Sequence, residues 1–128
     1  MPPTKSWAGP VVIATVLSWL GLYIHNVNDL PHQTPLSPDS GIPGAILLVL
    51  LAMWCIRPLR RPATTLLLAW AWLDLIGGAL SVLPLPFLPF HPEQTLRHYS
   101  FHVVYAVLQV PLIVVATRYR RRPTRVST

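Results

Sequence analysis

Asp74 stands inside a long apolar run, and no Lys or Arg occurs in that run or in the three like it. A charged side chain at bilayer depth costs on the order of 2.5–3.5 kcal/mol, so such a residue faces partners rather than lipid. The expectations for Asp74 are therefore a packing hydrogen bond, or a site for a proton, a cation or a small amphipathic molecule. Residues three or four apart share a helix face. On that spacing Ser18, Tyr105 and Gln109 join Asp74 on the polar faces of their helices, and Trp70 lies one turn from the carboxyl. An aromatic ring beside a carboxylate suits an organic cation. Together these residues predict a polar crevice between the first, third and fourth helices, floored by Asp74 and Gln109.

A second set carries different chemistry. His25 and Asp29 are four residues apart, and so are His98 and His102. Imidazole and carboxylate suit zinc or copper, so these two pairs at matched depth form a candidate metal set. His25 and His102 are also conceivable axial ligands of a haem in a membrane redox subunit. The sequence leaves the cofactor unknown. Cys55 is the single cysteine, which excludes an intrachain disulfide and a cysteine zinc site. No hydrolase signature, glycine-rich phosphate loop or paired-cysteine redox motif occurs, and an enzyme is the less favoured class.

The elements that must hold these residues follow from composition. The 128 residues are 52% hydrophobic and only 11% charged, against about 25% charged in soluble domains. Apolar segments fall at about residues 7–25, 41–56, 63–83 and 99–117. Each approaches the roughly 20 residues that cross a bilayer core as a helix, and helices satisfy their own backbone in lipid. The fold class expected is thus an all-α integral membrane bundle of four transmembrane helices. It forms a single domain over residues 1–117 with an Arg-rich tail at 118–128. The second segment has no strongly polar residue from Ala45 to Ile56 and is expected to face mostly lipid.

Charge sets the orientation. Lys5, Arg57, Arg60, Arg61, Arg118, Arg120, Arg121, Arg122 and Arg125 all fall on one side of this plan, and only Arg97 falls on the other. Basic loops stay cytoplasmic, so both termini are expected inside a cell membrane. The net charge of +6 sits beside apolar runs and is read as a match for anionic lipid headgroups, met by Arg57, Arg60, Arg61, Arg118, Arg120, Arg121 and Arg122. Nucleic acid is not expected as a partner. All five histidines lie toward the opposite, outer side. Val110 to Ala116 is apolar, so the polar path does not continue inward and a through-channel is not expected.

Besides a metal- or haem-binding membrane redox subunit using the outer-face histidines, two function classes follow. One is a small membrane protein that binds or transports a proton, cation or amphipathic molecule through an outward-facing crevice. The other is a non-catalytic accessory or assembly subunit, a homo-oligomer or part of a larger membrane complex.

Overall fold

The computed structural model describes residues 6–123, and Lys5 and Arg125 lie outside them. Four segments are long and apolar enough to cross a membrane: Ala8–Asp29, Pro38–Cys55, Arg57–Val82 and Leu96–Arg120. We label the α-helices α1 (Ala8–Asp29), α2 (Pro38–Cys55), α3 (Arg60–Leu73) and α4 (Leu96–Arg120). Pro43 and Pro111 lie inside α2 and α4, while two other prolines sit where helices tolerate them. Pro10 lies in the first turn of α1 and Pro38 starts α2, positions whose N–H has no intrahelical acceptor. Thr95 caps α4, its side chain accepting from the His98 N–H at 3.2 Å.

The helices run up and down. Trp7, Trp54 and Tyr119 meet at one end, with ring centroids 5.7 Å apart in each pair that Tyr119 makes. His25 and His102 meet at the other. The first will be called the basic end, because Arg60, Arg61 and Arg122 lie there, and the second the histidine end. α4 is the central element, packed along α1 and against α3, while α2 packs on α1 and α3. The apolar core lies toward the basic end and includes Val11, Leu47, Leu50, Trp54, Leu67 and Leu112. Only 22–28% of each apolar window is buried inside the bundle. Large side chains such as Ile13, Leu48, Leu73, Val103 and Val107 point outward, an exterior that suits lipid and not water.

The boundaries differ from the hydropathy reading in four places. α1 continues past His25 to Asp29, so the His25–Asp29 pair lies on one continuous helix. The turn expected at 57–62 is instead helical, with a short 3₁₀ turn over Arg57–Leu59 and α3 starting at Arg60. α4 runs on through Arg118 and Arg120, where the tail was expected to begin. The third segment, expected as one helix over 63–83, changes pitch. A π turn spans Asp74–Gly78 and a 3₁₀ turn Ala79–Val82. Gly78 explains the location: a Cβ there would lie 2.6 Å from the Tyr105 hydroxyl oxygen, so the third segment meets α4 only because this residue has no side chain.

The second segment is also less lipid-facing than expected on one side. Leu47, Leu50 and Trp54 recur at helical spacing and are buried, whereas Leu48 and Val49 are exposed.

A candidate metal centre at the histidine end

α1 and α4 position the site. Ser18, Gly21 and His25 lie along one face of α1, and His102, Tyr105 and Gln109 along the facing stripe of α4. Gly21 sets the approach: a Cβ there would stand 3.0 Å from Leu108 Cβ and 3.2 Å from the Tyr105 carbonyl oxygen. Ser18 donates to Gln109 Oε1 at 2.5 Å, and Gln109 Nε2 donates back to the Ser18 carbonyl at 3.1 Å. This reciprocal bond fixes depth and rotation, and places His25 against His102 two turns further out.

The donor atoms then converge. His25 Nε2 is 2.9 Å from His102 Nε2 and 2.9 Å from Asp29 Oδ2. One ligand atom from each of these three residues lies within 4.8 Å of the others. His98 Nδ1 lies 3.0 Å from the same Asp29 oxygen, so His98 touches the carboxylate and orients it. Of the four residues expected in the metal set, three present converging donors and the fourth supports one of them. His102 is buried, and the other three side chains keep 15–18% of their surface accessible.

The outer nitrogens determine the tautomers. His102 Nδ1 is 2.8 Å from the Ala79 carbonyl, which can only accept, so Nδ1 carries the proton. His25 Nδ1 is 3.2 Å from Asn26 Oδ1. The Asn26 amide is oriented by its other end, which donates to the Asp39 carbonyl and to Ser40 Oγ, each at 3.0 Å. The Asp39 carbonyl is available because Pro43, four residues on, has no N–H to give it. Asn26 therefore turns its oxygen to His25, and His25 Nδ1 donates. With Nδ1 as the protonated nitrogen of each ring, both Nε2 atoms face the same point. Asp29 Oδ2 adds a third, being a buried oxygen that receives no hydrogen bond of acceptable geometry. Three electron pairs at this spacing repel unless a proton or a metal ion lies among them.

The C-terminal end of α1 favours positive charge. Asp29 closes the C-terminus of α1, whose unpaired carbonyls carry partial negative charge. The guanidinium of Arg97, the one basic group expected on this side, donates to the Asn28 carbonyl at 3.3 Å. Two nitrogens on opposite faces of a haem iron are roughly 4 Å apart by metal–nitrogen bonds of about 2 Å. The His25 and His102 Nε2 atoms stand closer than that, at 2.9 Å.

Deeper in the bundle the expected crevice residues bond to one another. Trp70 Nε1 donates to Asp74 Oδ2 at 3.0 Å, and Tyr105 is the second side-chain partner of that carboxyl. Ser18 and Gln109 are closed on each other as described. Tyr105 spans the two levels, its ring 5.5 Å from His25. The structure thus brings Asp74, Trp70 and Tyr105 together, and Ser18 with Gln109.

Sequence reasoning missed three contributors. Asn26 and Ser40 fall between the expected segments 7–25 and 41–56, although Asn26 directly follows a candidate ligand and its amide is the type that fixes a histidine tautomer. Ala79 contributes through its backbone, for which no side-chain signal exists.

No known protein family, curated protein or solved structure matches this chain.

Proposed function

We propose that this chain is an integral protein of the cell membrane, both termini cytoplasmic, that binds a divalent transition-metal ion at the outer end of its bundle. His25 Nε2, His102 Nε2 and Asp29 Oδ2 are the ligands. The observation that carries the reading is the pair of Nε2 atoms 2.9 Å apart on imidazoles whose Nδ1 atoms are both committed to oxygen acceptors. Metal-bound histidines characteristically donate their other N–H to a carbonyl or carboxamide in this way. A two-histidine, one-carboxylate set matches sites that keep further coordination positions for water or a substrate. Partial exposure of His25 and Asp29 gives an ion access from the outer side. The set tethers α1 to α4, and through Asn26 and Ala79 reaches α2 and the third segment.

The test uses the full chain in mild detergent, stripped of metal and titrated with Zn(II). Close to one ion per chain is expected. His102→Ala or Asp29→Asn should weaken binding by 10-fold or more, on the order of what even an outer-shell partner contributes. A chain that retains no stoichiometric zinc, or variants that bind as well as the parent, would overturn the proposal.

A second reading keeps Asp74 as a proton- or cation-accepting group at mid-depth. It is supported by the neutral character of both its side-chain partners, Trp70 and Tyr105, which leaves the carboxyl without a counter-charge. Asp74→Asn tests it, since a ligand that depends on the carboxyl is lost while the bundle persists.

A further inference from the structure

The basic end of the bundle holds a second cluster that the metal centre does not use. Trp7, Trp54 and Tyr119 form an aromatic wall there, drawn from the start of the chain, the end of α2 and the end of α4. Two guanidinium groups cover it, and a third is tied in beside them. Arg60 lies 4.9 Å over the Trp54 ring and anchors its Nε on the Trp54 carbonyl at 3.0 Å. Arg122 lies 5.2 Å over Trp7 and 5.8 Å over Tyr119. Arg61 Nη2 donates to the Arg122 carbonyl at 2.9 Å. All four acidic residues of the chain, Asp29, Asp39, Asp74 and Glu93, lie at the histidine end or mid-span. Among the described residues the three cations are therefore held by π faces and carbonyls, with no carboxylate beside them.

Two independent observations point to a missing acceptor. Arg60 and Arg122 lie on one aromatic cluster with Arg61 tied to the Arg122 backbone, and among the described residues no carboxylate pairs with them, although like charges repel unless an anion intervenes. On the same corner Trp54 is 4% exposed and its buried indole N–H has no hydrogen-bond partner. The planar guanidinium fork matches phosphate oxygens, and the corner sits where the apolar spans end, at headgroup level.

We propose that this corner is a binding site for the phosphodiester headgroup of an anionic lipid. Arg60, Arg61 and Arg122 contact the phosphate, and Trp7, Trp54 and Tyr119 hold the arginines in place and flank the glycerol region. The lipid is the source rather than a soluble anion because the wall is aromatic and borders the lipid-facing exterior. A single negative headgroup per bundle corner replaces the absent carboxylate. This site is independent of the metal centre at the other end.

The experiment is native mass spectrometry of the full chain in mild detergent, offered phosphatidylglycerol and phosphatidylcholine in equal amounts. Phosphatidylglycerol should be retained over phosphatidylcholine by roughly tenfold or more, given three juxtamembrane arginines. The combined Arg60→Gln, Arg61→Gln, Arg122→Gln variant should fall to the phosphatidylcholine level, while Arg97→Gln at the opposite end should change nothing. Arg122→Gln alone, at an exposed residue, keeps the comparison available should the triple variant aggregate, and it too should lose preference. Equal retention of both lipids, or full preference in the arginine variants, overturns the proposal. Displacement of the lipid by inorganic phosphate or by RNA at matched charge would reassign the corner to a soluble anion or to nucleic acid, and equally overturns it.

Discussion

The Nε2 atoms of His25 and His102 face each other at 2.9 Å although each ring already gives its Nδ1 proton to an oxygen. This relationship crosses from α1 to α4 and depends on everything that fixes those two helices against one another. Its consequences can be measured away from the ligands as well as at them.

Zinc should stabilise the folded bundle. An ion that binds only the folded form at 100 times its dissociation constant adds about 2.7 kcal/mol. The thermal midpoint of the detergent-solubilised chain should rise with added Zn(II), and the rise should vanish in His25→Ala. An equal rise in that variant would place the stabilising ion elsewhere.

Gly21 should control the site without touching it. A Cβ at this position already meets Leu108 Cβ at 3.0 Å, so Gly21→Leu must push α1 from α4. Loss of zinc binding is expected, together with a destabilisation of about 1–3 kcal/mol. Gly9→Ala is the control, because nothing lies within 4 Å of its added Cβ. Undiminished zinc affinity in Gly21→Leu would show that the α1–α4 spacing does not set the site.

Ser18 and Gln109 should be energetically coupled. They exchange two hydrogen bonds across the same seam, and both are fully buried. Interhelical hydrogen bonds in membrane proteins average about 0.6 kcal/mol and reach about 1.7. A double-mutant cycle with Ser18→Ala and Gln109→Leu should return a coupling toward the upper part of that range. Additive effects would mean the pair is incidental to the packing.

Asp74 should separate structure from chemistry by its substitutions. Asp74→Asn keeps an oxygen for the Trp70 N–H and an amide from which the Tyr105 hydroxyl can accept, so only a modest loss of stability is expected. Asp74→Leu leaves the indole N–H and the phenol unpartnered, costing about 1–3 kcal/mol for each group stranded. Zinc stoichiometry should be unchanged in both, since Asp74 is not among the converging donors. Loss of zinc in the otherwise folded Asp74→Asn would tie the two levels into one site.

The histidine pairs, the lone mid-span carboxyl and the segregation of arginines are all readable along the chain, because each is a matter of spacing or of which residues flank an apolar run. The depth match between the two histidine pairs also follows from antiparallel spans of similar length. The closure of the expected crevice does not. Whether Ser18 and Gln109 face a cavity or each other depends on helix rotation, and their spacing is the same in either case.

The sequence by itself determined four apolar helices and gathered charge of opposite character at their two ends, because lipid admits only segments of that length and composition. The tertiary structure alone decided which faces meet. That decision rests on small local facts: the absent Cβ at Gly21 and Gly78, the missing N–H of Pro43 that gives Asn26 a carbonyl to hold, and the π turn at Asp74. Apolar side chains on all sides of a helix leave its rotation unspecified in lipid, so close packing and buried hydrogen bonds choose the seam. Here they choose the one that brings His25, Asp29 and His102 together at the histidine end.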